Sequence, residues 1–165
     1  MMTFISIGGN IGDPIASIKR ASEVLAENGL RKMTLSPMYL TSPVDCVPGT
    51  PDFINAVIAG EWDDCPQELL ALCQRLEAAS GRPVDRCKNA PRTLDLDIIL
   101  FGDKILEIVD LTIPHPRASE RLFVLCPLCD IAPDAFFPDL GRTASELLAE
   151  LRDKDSDQEI KIIKT

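Results

Sequence analysis

This chain is short of several things, and each shortage excludes a class of function. Basic residues are outnumbered, 17 Lys and Arg against 26 Asp and Glu for a net charge of -9. A general nucleic-acid binder gains its affinity by neutralising phosphates with a basic surface, so that class is excluded and any phosphate site must be local. Histidine occurs once, as His115, and the pair Cys126-Pro127-Leu128-Cys129 has no second CxxC to complement it. A structural zinc site needs four such ligands. Because the pair lies inside the apolar run Leu122 to Leu128, buried small hydrophobes on a helix are the better account of it than a metal or redox role. Long apolar runs are also missing. Phe4 to Ile7 meets Gly8-Gly9-Asn10 at once, too short for a membrane span or a secretory segment. The cytoplasm is the expected address, and Cys46, Cys65, Cys73, Cys87, Cys126 and Cys129 are expected to stay reduced there. No repeat or low-complexity segment interrupts the chain.

What remains is ordinary globular composition, 45% hydrophobic and 26% charged in 165 residues. That length suits one domain able to bury roughly 70% of the surface its unfolded form exposes. Strand patterning covers Thr3 to Gly8 and is followed by Asp13-Pro14, a helix cap and first position, with an apolar stripe of Ile18, Ala21, Val24 and Leu25 up to Asn28-Gly29. Leu30 to Leu40 reads as one long strand, Ser42 to Pro51 as a loop and Phe53 to Trp62 as the returning strand of a hairpin. Pro66 opens a second helix that Gly81 closes, and the polar stretch 82–91 reads as a mobile basic loop. A strand from Leu94 to Phe101, a helix from Ala118 to about Cys129, a last helix from Thr143 to Leu151 and a charged, loosely held tail from 152 complete the chain. The expected class is α+β: a mainly antiparallel four-stranded sheet in ferredoxin-like βαββαβ order, flanked by helices, with extra C-terminal helices.

The chemistry concentrates in Pro91-Arg92-Thr93-Leu94-Asp95-Leu96-Asp97. On a strand the period of two puts Leu94, Leu96, Ile98 and Leu100 on one face and Asp95 with Asp97 on the other. Their Cα atoms then stand about 6.5 to 7 Å apart. Two neighbouring carboxylates suit Mg²⁺, which takes one or two from a protein and fills its other positions with water and substrate phosphates. Taken alone, the same residues also describe a half-exposed strand with acidic solvent positions.

The ordered set of motifs resembles the 6-hydroxymethyl-7,8-dihydropterin pyrophosphokinase family of folate biosynthesis. It comprises Gly8-Gly9-Asn10-Ile11-Gly12-Asp13, Thr41-Ser42-Pro43, Pro51 to Ala56, Gln74 with Glu77, Gly81-Arg82, Pro91 to Asp97, and Ile113-Pro114-His115 followed by Arg121 and Phe123. The resemblance implies transfer of the pyrophosphoryl group of ATP to the hydroxymethyl group of a reduced pterin, with release of AMP. It implies two Mg²⁺ ions on Asp95 and Asp97, and a phosphate clamp of Arg92, His115 and Arg121 helped by Arg82. ATP would further meet Gln74, Glu77, Ile98 and Thr112, and the pterin would meet Ser42, Pro43, Asp45, Phe53, Asn55 and Phe123. A flat ring rich in donors and acceptors calls for such aromatic faces and an amide. The expected protein is a monomer with ATP and the pterin as its partners and neither nucleic acid nor membrane among them. The alternative within this reading is a relative that binds ATP and pterin without turnover.

Five positions depart from the family pattern. Gly9 stands for a serine, Phe53 for a tyrosine, Val84 for an arginine, Asn89 for a tryptophan and Pro116 for a tyrosine. None of these removes a metal ligand. The changes at Val84 and Asn89 fall in the loop expected to close over ATP, and they leave Arg86 and Lys88 as the candidates for the phosphate contact there.

Overall fold

The computed structural model describes residues 1–43, 48–81, 92–154 and 158–163. The strand β1 (Met2–Gly9) runs into helix α1 (Pro14–Glu27), where Asp13 accepts a hydrogen bond from the Ala16 amide at 3.0 Å. The strands β2 (Arg31–Leu35), β3 (Tyr39–Thr41) and β4 (Phe53–Glu61) follow, then helix α2 (Pro66–Ala79) and strand β5 (Asp95–Phe101). A small hairpin, β6 (Leu106–Ile108) with β7 (Leu111–Ile113), leads to a 3-10 turn at Ala118–Glu120 and helix α3 (Leu122–Ile131). A second ribbon, β8 (Phe136–Phe137) with β9 (Arg142–Thr143), precedes helix α4 (Ala144–Asp153) and strand β10 (Ile160–Ile162).

One antiparallel sheet in the order β10-β3-β4-β1-β5, with β2 also paired to β4, carries the architecture. It has six strands, two more than expected. The first addition comes from breaking the expected strand Leu30 to Leu40. Pro37 has no N–H to give a ladder, and Ser36 takes over locally: its amide donates to the Val57 carbonyl and its Oγ accepts from the Val57 amide, both at 2.9 Å. The second is β10, from the tail expected to be loosely held, which pairs along β3 with Ile160 opposite Thr41.

Two apolar layers sandwich the sheet. Ile5, Ile7, Ala56 and Ile58 pack with α1 and α2 on one face, and Phe4, Val57 and Ala59 pack with α3 and α4 on the other. Strand β5 crosses from layer to layer. Leu94, Leu96, Ile98 and Phe101 belong to the α1/α2 face, but Ile99 and Leu100 belong to the α3/α4 face. The expectation that Leu100 shares a face with Ile98 fails because Ile5 pairs with Ile98 while Phe4 pairs with Leu100. Ile99 is therefore an extra residue, a β-bulge, and the alternation shifts by one beyond it. The helix expected from Ala118 is also interrupted. Arg121 is extended (φ -120°, ψ 113°), so the 3-10 turn and α3 are separate pieces.

Candidate active site

Backbone parity decides which side chains can meet. Asp97 pairs with Ser6 and Asp95 with Gly8, Gly8 in turn pairs with Asn55, and Phe53 pairs with Thr41. These residues share the parity of Phe4 and Val57, so they stand on the α3/α4 face, at the end of the sheet where β1 finishes. Gly8 makes the row possible. A Cβ there would lie 2.2 Å from Asn55 Oδ1, so only glycine leaves room for the amide.

Arg92 is locked beside this row. The side chain of Asn10 accepts from the Arg92 amide at 2.8 Å, and the Asn10 amide donates back to the Arg92 carbonyl at 2.9 Å. The approach is close enough that a Cβ on Gly9 would come within 2.4 Å of the Thr93 carbonyl oxygen. Glycine at position 9 thus goes with a close contact between the β1 end and the segment before β5. From that anchor the Arg92 guanidinium donates to Asp95 at 2.5 Å. On the strand itself Glu77 reaches across from α2 and accepts from the Leu96 amide at 2.8 Å, which ties down the one residue between the two aspartates.

The Ile99 bulge brings in the other wall. The His115 amide donates to the Ile99 carbonyl at 3.0 Å. Its ring Nδ1 accepts from the Arg117 amide at 3.2 Å, which leaves the proton of the neutral imidazole on Nε2. Burial pushes His115 down to about 4, and the positive charges of Arg121 and Arg117 push the same way while Asp95 opposes them. His115 is thus a neutral donor at physiological pH. Arg121, at the start of α3, feels Arg117 and Arg92 as well as both aspartates, and burial lowers its pKa. Its guanidinium lies over the Phe123 ring, 5.2 Å from the centroid. Arg92 and Arg121 therefore stand beside the two carboxylates, and Arg117 adds its positive charge to the field felt by His115 and Arg121.

The remaining sequence candidates distribute as follows. Asn55 is buried, and its amide donates to Thr41 Oγ1 at 2.7 Å. Phe53 and Phe123 are half-buried, and Ser42 and Phe123 both line a narrow crevice. Pro43 is half-buried next to Ser42, and Thr112 is half-buried on β7. Gln74 is exposed on α2, one turn before the half-buried Glu77. The side chain of Ile98 is core, so only its backbone on the edge strand β5 is available to a ligand. Asp45, Arg82, Arg86 and Lys88 lie outside the described residues, as does Pro91. Among the described residues no cluster of three or more His, Cys, Asp or Glu side chains is arranged to hold a metal. Two hard carboxylates on one strand fit Mg²⁺ shared with phosphates, a role that does not require a closed protein cage.

The family model for 7,8-dihydro-6-hydroxymethylpterin-pyrophosphokinase (HPPK) matches residues 4–133. The chain belongs to the HPPK family. Among its HPPK relatives, the 2-amino-4-hydroxy-6-hydroxymethyldihydropteridine pyrophosphokinase of Pseudomonas aeruginosa is 38% identical over 147 residues, covering 88% of this chain and 89% of that one. The enzyme of the same name from Synechocystis sp. is 37% identical over 148 residues, covering 89% of this chain and 74% of the relative. A Plasmodium falciparum HPPK-DHPS triple mutant, solved with STZ-DHP, has the same fold with a TM-score of 0.71 at 14% identity. The match covers 94% of this chain and 44% of that longer one.

Within the HPPK frame two residues of the constellation were missing from the sequence candidates. Asn10 stands in the sequence only as part of a glycine turn, although it supplies both ties to the Arg92 backbone. Arg117 is absent from those candidates, yet its amide orients the imidazole and its charge adds to the positive field. A polar residue closing a glycine turn at a strand end was the available signal for Asn10. An arginine two residues after the lone histidine was the available signal for Arg117.

Proposed function

We propose that this protein transfers the terminal pyrophosphoryl group of ATP to 6-hydroxymethyl-7,8-dihydropterin in folate biosynthesis. The hydroxymethyl oxygen forms a bond to the β-phosphorus, the bond between that phosphorus and the α,β-bridging oxygen breaks, and AMP leaves while the hydroxyl proton is lost. The observation that carries the reading is the gathering of Arg92, Asp95, Asp97, His115 and Arg121 at one end of a sheet face that also bears Asn55 and Phe53.

Two Mg²⁺ ions held by Asp95 and Asp97 would neutralise the phosphate charge. Arg92 keeps N–H donors beyond the one given to Asp95 and would offer them to phosphate oxygens. His115 would donate from Nε2, and Arg121 would close the clamp. We read His115 as a phosphate donor and not as a base: a loose phosphoryl-transfer transition state asks chiefly for positioning. Phe53 and Phe123 would flank the pterin ring, Asn55 would pair with its edge, and Ser42, Pro43 and Asp45 would border it. Gln74, Glu77, Thr112 and the backbone of Ile98 would face the nucleotide. Arg82, Arg86 and Lys88 are assigned to the phosphates by their place in the motif. Arg86→Ala and Lys88→Ala, assayed separately, are expected to raise the KM for ATP several-fold in at least one case; unchanged kinetics in both would remove that assignment. The four main strands are read as a ferredoxin-like βαββαβ unit in a single domain, acting as a cytoplasmic monomer. Among the described residues, no helix is long and apolar enough to cross a membrane.

The test is AMP release from ATP with and without the pterin, in Mg²⁺ and then in EDTA. AMP that depends on both pterin and metal is expected. ADP would indicate single phosphoryl transfer instead, and tight ATP binding without product would favour the non-catalytic relative.

A further inference from the structure

The stretch Gln158–Ile163 follows α4, and Gln158, Glu159 and Ile160 line a narrow crevice together with Thr41, Ser42, Leu122 and Phe123. Helix α3 starts there with an unusual need. Arg121 occupies its cap position with an extended backbone and offers no side-chain cap, so the first amides of the helix require another acceptor. Gln158 supplies it from 36 residues away: its Oε1 accepts from the Leu122 amide at 2.9 Å. The same carboxamide donates through Nε2 to the Glu120 carbonyl at 3.2 Å. Gln158 therefore grips the main chain on both sides of Arg121.

The next residue grips the other wall. The Ser42 amide donates to the Glu159 carbonyl at 3.1 Å, and the Glu159 amide donates to Ser42 Oγ at 3.2 Å. Ile160 then pairs with Thr41, the residue whose hydroxyl accepts from Asn55. Two consecutive residues thus join the start of α3, which carries Arg121 and Phe123, to the end of β3, which carries Ser42 and supports Asn55.

We propose that Gln158 is a positioning residue for the pterin pocket, setting the distance between its Phe123 wall and its Ser42 and Asn55 wall; this rests on the pyrophosphokinase reading above. Gln158 does not touch the reacting atoms. It acts through the backbone of Arg121 and Leu122. The tie between the two walls is made by a segment lying more than 110 residues from Ser42 in sequence.

The test uses the full chain and measures binding of 6-hydroxymethyl-7,8-dihydropterin in the presence of a non-hydrolysable ATP analogue, for wild type, Gln158→Met and Gln158→Glu. Methionine keeps the length of the side chain and loses the hydrogen bonds to Leu122 and Glu120. Glutamate keeps the acceptor for Leu122 but sets an oxygen against the Glu120 carbonyl. Both variants are expected to weaken the pterin Kd by about tenfold, the loss of one or two neutral hydrogen bonds, with one site per chain retained. A Kd within twofold of wild type in both would overturn the proposal. So would a reduced number of sites at unchanged Kd, because that is the signature of a folding defect and not of a mis-set pocket. Wild type that binds the ATP analogue but no pterin would overturn the pyrophosphokinase reading itself, and this role with it.

Discussion

The charge state of a single side chain is the sharpest consequence at the scale of residues. His115 sits near 4 because burial and two neighbouring guanidiniums disfavour its proton. In the unfolded chain it titrates near 6.5. Between these values the unfolded state binds more protons, so stability falls as the pH drops from 6.5 towards 4 and levels off below. At about 1.4 kcal/mol per unit the effect reaches about 3 kcal/mol. Because this is the sole histidine, NMR titration needs no assignment by mutation: its ring signals are expected to stay constant from pH 8 to pH 5. A midpoint near 6.5 would place the ring in solvent. The aspartates yield a second prediction. Asp95→Ala and Asp97→Ala should each lower kcat by a hundred- to a thousandfold, the scale of about 3 to 4 kcal/mol lost when a group positioning transition-state charge is removed. A loss under tenfold in either would show that the pair does not hold the metal. Gly8→Ala should raise the pterin KM with a smaller effect on ATP, since the new methyl takes the place of the Asn55 carbonyl oxygen.

Elements show where local rules met a competitor. Asp13-Pro14 and Pro66 start helices as their chemistry demands, and the capping box of Thr143 with Glu146 starts α4. The alternation of Leu94 to Ile98 was legible because it is a local period. The bulge at Ile99 was not, since it depends on how Phe4 and Ile5 are placed on a strand some 90 residues away. In the same way Leu30 to Leu40 reads as one strand, and the break at Ser36-Pro37 is stabilised by the bonds Ser36 makes to Val57 on β4. That substitution of a hydroxyl for a ladder carbonyl is testable. Ser36→Ala leaves the Val57 amide buried without its acceptor and should cost about 1 to 3 kcal/mol in urea unfolding. A change under about 0.5 kcal/mol, the range of an ordinary surface substitution, would mean that the strand repairs itself.

For the molecule as a whole, chemical reactivity reports how the two layers are packed. Burial pushes the Cys73 thiol up to about 12, and Cys129 rises to about 11 by burial and the nearby Cys126 and Asp130. Native alkylation should therefore modify Cys65 readily, while buried Cys73 and Cys126 react only on unfolding; labelling followed by peptide mapping checks this. Rapid modification of Cys126 would mean that α3 is not seated on the sheet. The sequence by itself determined the α+β class, the family, the starts of α1, α2 and α4 and the paired aspartates, because caps, short periods and contiguous motifs are written within a few residues of one another. Tertiary structure alone decided the six-stranded sheet, the tie between Asn10 and Arg92, the neutral His115 beside Arg117, and the path of Gln158 across the pocket. Each of these joins segments whose mutual distance is set by packing on the sheet, and no local pattern in the chain encodes that distance.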